Sequence, residues 1–355
     1  MRIGIPREIK TLEGRVGLIP AAAAELVRQG HEVLVERSAG TLSGYPDDAY
    51  RDSGARIIPD AAALYGGAEL IIKVKEPVGP ELELLRAEHV LFSYLHLAAN
   101  PPLLERLREI GLTAIAFETV EDAAGRLPLL APMSDIAGRL AAQIGATLLQ
   151  HPVGGKGLLL GGLPAAERGR VVILGGGVVG GSAAAVAAGL GAEVVVFERR
   201  RDRLEAMRAH GPNVTALYPY EDAIRREVAR ADLLIGAILV TGERTPRLVA
   251  AETVRAMQPG SVVIDVAVDQ GGCIETTRPT TYASPTYLWE GIVHFGVTNM
   301  PGAVPRSASQ ALSAALLPYA LLLAGGDWRQ HPELERGINL AGGRVTHPAL
   351  RQYVA

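Results

Sequence analysis

A run of apolar residues, Val171 to Leu174, leads directly into the glycine-rich sequence Gly175-Gly176-Gly177-Val178-Val179-Gly180. In a G-x-G-x-x-G loop, the first glycine permits a tight turn, the second lets the backbone approach a phosphate, and the third lets the next helix pack against the strand. The free N–H groups in the first turn of that helix attract an anion. The pattern predicts a strand, turn and helix that bind a dinucleotide; the alternative is an ordinary glycine-rich turn.

A second apolar run, Glu193 to Phe197, is followed by Glu198, at the spacing where an acidic side chain binds the adenosine ribose hydroxyls. The next three residues, Arg199, Arg200 and Arg201, are of the type that accepts the 2′-phosphate of NADP. Because a carboxylate at Glu198 would repel that phosphate, the sequence favours NAD, and we interpret the arginines as part of a solvated loop and the start of a helix. NADP stays open as the alternative.

Composition narrows the class of protein. The chain has 355 residues, of which 48% are hydrophobic and 21% charged, and this predicts a soluble globular protein of two domains. A net charge of -3 provides no basic surface for nucleic acid or an anionic membrane, so we expect a small-molecule partner. The best apolar stretch, Ala311 to Ala324, contains Pro318 and is expected to be too short to cross a bilayer.

The N-terminus is expected to form a first strand rather than a signal peptide, because it has no apolar segment of sufficient length. The single cysteine, Cys273, excludes an intramolecular disulfide and agrees with a reducing compartment. These features predict a cytoplasmic protein.

The order of the apolar segments predicts an α/β protein with two Rossmann-like domains. Five segments before residue 125 have the character of buried parallel strands: Arg2 to Pro6, Glu32 to Glu36, Leu70 to Val74, Val90 to Ser93 and Thr113 to Ala116. Residues 130–305 are expected to form a nucleotide-binding domain, opened by a helix from Ala131 to Gln150 with Ser134 as its cap. Residues 306–355 are too few to fold alone, so we expect them to complete a substrate domain with residues 1–129, and we expect a cleft between the domains.

Three side chains in the first domain follow predicted strands. Arg15 lies in the loop after the first strand, where it either binds a substrate carboxylate or pairs at the surface with Glu8 or Glu13. Lys75 and His96 follow the third and fourth strands, and a cation and an acid/base at neighbouring strand ends favour a catalytic role over a structural one.

In the second domain, Asp269 lies just beyond the strand Ser261 to Val266, beside a glycine pair. Asp265 and Cys273 are interpreted as a satisfied structural carboxylate and a packed, inert thiol. The oxidation of a small 2-amino or 2-hydroxy acid requires the groups described above: cations, a histidine, an acid and a hydride carrier. No metal-ligand spacing, nucleophile elbow or P-loop occurs in the sequence.

These segments resemble the alanine dehydrogenase family along nearly the whole chain. The motifs that carry the resemblance are Glu8-Ile9-Lys10 to Val16, Lys73-Val74-Lys75-Glu76-Pro77, Tyr94-Leu95-His96-Leu97-Ala98, Leu130-Ala131-Pro132-Met133-Ser134, Gly175 to Gly180, Asp265 to Thr277 and Asn299 to Pro305. The resemblance implies reversible oxidative deamination of L-alanine to pyruvate and ammonia with NAD, through an imine, by a homo-oligomer that is usually a hexamer.

The resemblance also implies roles for individual residues. Arg15 and Lys75 would hold the substrate carboxylate and oxygen, His96 would be the general acid/base, and Asp269 would assist the addition of water or ammonia. The residues implied to bind NAD are Ser134, Gly175, Gly177, Val178, Val179, Gly180, Glu198, Arg203, Leu239, Val266, Ala267, Val268, Arg278, Val297, Thr298, Asn299 and Met300. Glu198 stands where the family commonly has Asp, and Pro219 where a serine often touches the cofactor.

Two alternatives remain. The NAD-binding subunit of the proton-translocating transhydrogenase looks similar in both domains, but it typically lacks counterparts of Lys75 and His96. The other is a non-catalytic NAD-sensing regulator, which would not need Arg15, Lys75, His96 and Asp269.

Overall fold

The computed structural model describes residues 1–238, 245–326 and 328–353. The chain divides into two compact units, Met1–Met133 with Gly302–Ala355 and Ser134–Pro301. The strands of the described residues are, in chain order, β1 (Arg2–Ile5), β2 (Glu32–Glu36), β3 (Arg56–Ile58), β4 (Leu70–Ile72), β5 (Val90–Ser93), β6 (Thr113–Ala116), β7 (Arg170–Leu174), β8 (Glu193–Phe197), β9 (Val214–Leu217), β10 (Leu233–Gly236), β11 (Val262–Asp265), β12 (Thr286–Trp289), β13 (Ile292–Phe295), β14 (Ile338–Ala341) and β15 (Arg344–Val345).

The α-helices of the same residues are α1 (Pro20–Arg28), α2 (Asp47–Asp52), α3 (Ala61–Gly67), α4 (Glu81–Leu84), α5 (Pro101–Ile110), α6 (Ala131–Leu148), α7 (Val178–Gly189), α8 (Arg201–Arg208), α9 (Glu221–Ala229), α10 (Ala251–Arg255), α11 (Pro305–Gly325) and α12 (Pro332–Gly337).

The first unit is built on an eight-stranded sheet of order β15-β14-β6-β5-β4-β1-β2-β3. Strands β1 to β6 are parallel, and β14 adds to the edge at β6 in the antiparallel sense. The order reverses between β1 and β4, and this is the switch point at which open α/β sheets bind ligands, beyond the carboxyl ends of the strands.

The second unit holds a seven-stranded sheet of order β12-β13-β11-β10-β7-β8-β9, with its switch point between β7 and β10. Val171 and Ile173 of β7 pack into one apolar core, whereas Val172 and Leu174 pack into another. Because successive side chains of a strand point to opposite faces, both faces of the sheet are covered. Together the two sheets confirm the predicted α/β class with two Rossmann-like domains.

Several boundaries differ from the sequence predictions. Strands β1 and β4 end at Ile5 and Ile72, earlier than predicted. Helix α6 begins at Ala131, so Ser134 lies inside its first turn and is not the N-cap. The sequence predictions did not include β3, β9, β12 and β14, which are short and partly exposed.

Helix α11 corrects the expectation about the apolar stretch near the C-terminus. It has 21 residues and continues through Pro318, so among the described helices it alone is long and apolar enough to span a bilayer. Length and composition are weak grounds for a membrane span, because a core helix of a soluble protein passes the same test. Ala308, Leu312, Leu316 and Leu323 are buried within the first unit, as in such a core helix.

Candidate active site

Arg15 lies in the loop between β1 and α1 and is 2% exposed. Its Nε is 2.6 Å from Glu13 Oε1, and its Nη2 pairs with Glu13 Oε2, which makes a bidentate ion pair. Its Nη1 is 3.2 Å from Met133 Sδ. Burial by itself would lower the pKa of Arg15, but Glu13 raises it overall, so the guanidinium stays charged. The pairing with Glu13 is therefore internal and not the surface pair that was one of the two expectations.

The loop that carries Arg15 is held by serine side chains. The backbone N–H of Val16 donates to Ser309 Oγ at 2.9 Å, and that of Ile19 donates to Ser313 Oγ at 3.0 Å. Ser43 Oγ donates to the carbonyl of Gly14 at 2.7 Å. Because buried backbone groups need partners, these bonds determine the path of a long loop that has no regular structure. Helix α11 thereby supports the position of Arg15.

Lys73 and Lys75 both lie beyond the end of β4, in different surroundings. The side chain of Lys73 is fully buried, and its Nζ is 3.0 Å from Glu81 Oε1 and 3.4 Å from Glu8 Oε2. Lys75 is partly exposed, and the charges that act on it most strongly belong to Arg15, Glu76 and Glu13. Burial, and then repulsion from Arg15, lower the pKa of Lys75. Lys75 is therefore the lysine available to a ligand, and Lys73 belongs to the core.

His96 follows β5 at a bend where its own backbone is left-handed, with φ 48° and ψ 39°. Its side chain is 44% exposed, and its Nδ1 is 3.9 Å from Glu118 Oε1. The ring of Tyr94 lies parallel to the imidazole, with 5.9 Å between centroids and 2° between planes. The histidine is therefore accessible, and its surroundings hold its orientation.

The three side chains follow β1, β4 and β5, which are neighbours in the sheet. They lie at the carboxyl ends of these strands, on the side of the switch point. A cavity of about 290 Å³ also adjoins Arg15, and Glu8 and Glu13 line it together with Ser38, Ala39, Thr41 and Leu42, whereas Lys75 and His96 do not. One edge of the first unit thus carries a buried guanidinium, a partly exposed ammonium and an accessible imidazole.

In the second unit, the glycine loop has the geometry that its sequence predicts. Gly175 has φ +102°, and its N–H donates to Phe197 O at 2.8 Å. A Cβ at Gly180 would lie 1.8 Å from the carbonyl oxygen of Gly175, so only glycine fits there. A Cβ at Gly177, the N-cap of α7, would meet only Arg203 Nη1 at 3.7 Å. The space above Gly177 leaves the loop open to a phosphate, and these residues therefore fit a dinucleotide.

Glu198 lies against the same loop. Its carboxylate accepts hydrogen bonds from the backbone N–H groups of Gly176 at 3.0 Å, Arg199 at 2.6 Å and Arg200 at 3.0 Å, and Arg203 Nη1 is 3.5 Å away. Burial by itself would raise the pKa of Glu198, but these hydrogen bonds and Arg203 lower it overall. A charged carboxylate is therefore fixed against the glycine loop, at the end of β8.

The arginines after Glu198 are exposed, and α8 begins at Arg201. Arg200 pairs with Asp202 and Arg201 with Glu205. The interpretation of this segment as a solvated loop and helix start is confirmed.

Most of the other described residues that the resemblance assigns to NAD follow the carboxyl ends of β11 and β13 in the second unit. Val266 to Val268 come after β11, and Asp269 is exposed in the 3-10 turn Val268–Gln270. After β13, Val297 and Met300 are buried, Thr298 is exposed and Asn299 has φ 60°. Arg278 lies over the ring of Tyr287 at 4.2 Å, and Ser134 is partly buried in α6. Leu239 lies outside the described residues.

Asp265 and Cys273 have the structural roles that were predicted. Asp265 accepts hydrogen bonds from the N–H groups of Ala267, Cys273 and Ile274 and from the hydroxyl of Thr277. Burial raises the pKa of the Cys273 thiol, which is 0% exposed. Among the described residues, no group of three His, Cys, Asp or Glu side chains is arranged to hold a metal ion.

Two carboxylates, Glu118 and Glu8, hold the segments that carry His96 and Lys75. Glu8 accepts hydrogen bonds from the N–H groups of Val74 at 2.6 Å and Lys75 at 3.4 Å, so it holds the segment that presents Lys75. Neither carboxylate has a local sequence signal, because each acts on a segment more than twenty residues away.

Two family models cover most of the chain: the alanine dehydrogenase/PNT N-terminal domain matches residues 4–137, and the C-terminal domain matches residues 141–348. The alanine dehydrogenase of Bacillus subtilis is 48% identical over 99% of this chain and 94% of its own length. That of Halomonas elongata is 46% identical over 99% of this chain and 96% of its own length.

Solved structures agree with this assignment. An L-alanine dehydrogenase superposes with a TM-score of 0.96 at 49% identity, with 99% of both chains covered. A transhydrogenase from Sinorhizobium meliloti superposes with a TM-score of 0.86 at 27% identity, with 98% of this chain and 100% of that chain covered. The chain therefore belongs to the alanine dehydrogenase/PNT family.

Proposed function

We propose that this chain is an NAD-dependent L-alanine dehydrogenase, which converts L-alanine reversibly to pyruvate and ammonia. The observation that carries the proposal is the similarity to curated alanine dehydrogenases at 44–48% identity over nearly the whole chain. The retention of Lys75 and His96 beside Arg15 at one sheet edge supports the same activity. NAD, when bound, accepts the hydride from the amino acid and returns it in the reverse direction.

In this proposal the cations of the first unit bind the substrate. Arg15 pairs with the substrate carboxylate, for which its planar guanidinium is suited, and Glu13 holds that guanidinium in place. Lys75 donates to the substrate oxygen. Its partly desolvated ammonium strengthens this contact, because fewer water molecules compete for it.

His96 serves as the general acid/base. Deprotonation of the substrate ammonium or of the attacking water requires a base that titrates near neutral pH, and histidine is the side chain with that property. The proposal assigns to Asp269 the assistance of water or ammonia addition. The domain roles follow: residues 1–129 with 306–355 bind substrate, and residues 130–305 bind NAD through the Gly175 to Gly180 loop, Glu198 and Arg203. The protein would act in the cytoplasm as a homo-oligomer, with a hexamer as the expected form.

The test is the absorbance of NADH with purified protein, pyruvate and ammonium, repeated with NADPH and with glyoxylate. We expect NADH loss that requires both pyruvate and ammonium. His96→Ala should lower turnover by about 10²-fold or more and leave NADH affinity within a few-fold, as for a lost acid/base. Unchanged turnover in His96→Ala would refute its assignment.

The structural similarity to a transhydrogenase supports a second candidate, hydride transfer between nucleotides. Tight NADH binding with no turnover of any 2-oxo acid, together with hydride exchange between NADH and an oxidised nucleotide analogue, would favour it. Binding with neither reaction would favour a regulator.

A further inference from the structure

The carboxylate of Glu118 lies under the bend that carries His96. Its Oε1 accepts the backbone N–H of His96 at 2.6 Å and that of Leu95 at 3.2 Å, and its Oε2 is 3.3 Å from the same Leu95 nitrogen. His96 has the left-handed backbone that residues other than glycine adopt only under constraint. Two consecutive N–H groups bonded to one carboxylate supply that constraint.

The same carboxylate faces the imidazole ring. Glu118 Oε1 is 3.9 Å from His96 Nδ1, which is an ion-pair distance for a protonated ring and too long for a hydrogen bond. The ring of Tyr94 is parallel to the imidazole of His96, and the Tyr94 hydroxyl donates to Leu129 O at 2.6 Å. The side chains therefore leave Nε2 as the ring nitrogen that does not face the carboxylate.

Glu118 is itself held from the C-terminal part of the first unit. It lies in the 3-10 turn Phe117–Thr119, and Thr119 Oγ1 donates to Gly337 O at 3.1 Å and accepts from Asn339 Nδ2 at 2.8 Å. Asn339 is 2% exposed in β14. The turn that carries Glu118 is thus anchored in the core, and this holds the carboxylate in a fixed position beside His96.

Two other titratable groups belong to these surroundings. His347, which precedes the turn Pro348–Tyr353, has a buried Nδ1 with no partner among the described residues. Both Glu118 and Glu121 act electrostatically on it. The Pro348–Tyr353 turn packs against Leu97–Ala99, directly after His96. Glu118, Glu121, His347 and Tyr94 are therefore the groups that a pH experiment on His96 must separate.

We propose that Glu118 is a positioning residue for His96: it holds the left-handed bend through the backbone N–H groups and stabilises the protonated imidazole through its charge. The inference rests on the proposed function, in which His96 is the general acid/base. In that role the ring gains a proton during deamination, and the positive charge then develops opposite the Glu118 carboxylate.

The experiment compares Glu118→Gln, Glu118→Ala and the control Glu121→Gln in the pH dependence of kcat/KM for L-alanine. Glutamine keeps an acceptor oxygen for the N–H groups and removes the negative charge that favours the protonated ring. The part of the kcat/KM profile that depends on His96 should therefore move to lower pH by about 0.5–1 unit. Alanine removes both, and kcat should also fall by about 10- to 100-fold with NADH affinity unchanged. Glu121→Gln removes the same charge from an exposed neighbour and should match the wild type.

A second readout does not depend on turnover. Diethyl pyrocarbonate modifies the neutral imidazole, so its rate at His96 against pH, followed by peptide mass spectrometry, reports the protonation of that ring. The midpoint should move to lower pH in Glu118→Gln and not in Glu121→Gln. Identical midpoints in Glu118→Gln and the wild type would overturn the inference. A shifted midpoint in a protein with no alanine turnover would support the contact between Glu118 and His96 and refute the proposed function alone.

Discussion

Replacing Gly180 with alanine tests the physical role of the glycine loop. The added Cβ would lie 1.8 Å from the carbonyl oxygen of Gly175, whereas Cβ contacts below 3.0 Å are essentially never seen. The obstacle is backbone, so helix α7 must move by more than 1 Å from the end of β7. Overpacking of this kind costs about 1–3 kcal/mol. For a unit the size of residues 134–301, this corresponds to a Tm lower by about 2–12 °C.

The same movement displaces the helix N-terminus that the phosphates would contact. We therefore expect NADH to bind at least about tenfold more weakly, since a shift of 1 Å is enough to disrupt such a contact. Tm is measured by scanning calorimetry without cofactor, and the dissociation constant by the fluorescence of NADH.

Gly189 offers a matched control because it is the last residue of the same helix, and a Cβ there would have no atom within 4 Å. Gly189→Ala should raise Tm by about 1–4 °C through the lower entropy of the unfolded chain and leave NADH affinity unchanged. If Gly180→Ala equals Gly189→Ala in both measurements, the close approach of α7 to β7 does not determine the loop.

Lys73→Met should destabilise the protein by about 3–5 kcal/mol, because it leaves the carboxylates of Glu8 and Glu81 buried without a counter-ion. The loss of Tm should be larger at pH 8 than at pH 5.5, because burial raises the pKa of Glu8 and a protonated Glu8 no longer needs a counter-ion, and an equal loss at both pH values would contradict this prediction. Because the pKa of Lys75 is lowered, its ammonium should lose its charge at a lower pH than an ordinary lysine does. The dissociation constant of pyruvate, measured with NADH bound, should therefore begin to rise below the pH at which an ordinary lysine titrates. Lys75→Arg, whose guanidinium stays charged, should remove that rise in fluorescence titrations from pH 7 to 10. An identical rise in both proteins would refute the assignment of Lys75 to pyruvate binding.

Local patterns in the sequence were sufficient for much of the framework. Continuous apolar runs predicted β2, β5, β6 and β8 with their observed bounds, because buried parallel strands are hydrophobic on both faces. The strands that were missed lie in short or partly exposed segments, such as β12, which pairs antiparallel to β13. Such segments bury one face or less, so their composition does not separate them from loops.

The glycine loop could also be predicted residue by residue. Gly175 requires a positive φ, and Gly180 has no room for a Cβ; both are constraints on single residues, so they are visible in the sequence. Glu198 was predicted from its distance along the chain, and it does contact the loop through Gly176.

What only the tertiary structure decided is which charges meet. The sequence alone determined that Lys73 and Lys75, Glu8 and Glu13, and His96 follow strands of a parallel sheet. It could not tell that Glu8 and Glu81 enclose Lys73, or that Glu118 lies under His96. The physical reason is that electrostatic and hydrogen-bond contacts depend on distances in space, and strand order and loop path, not spacing along the chain, bring these groups together.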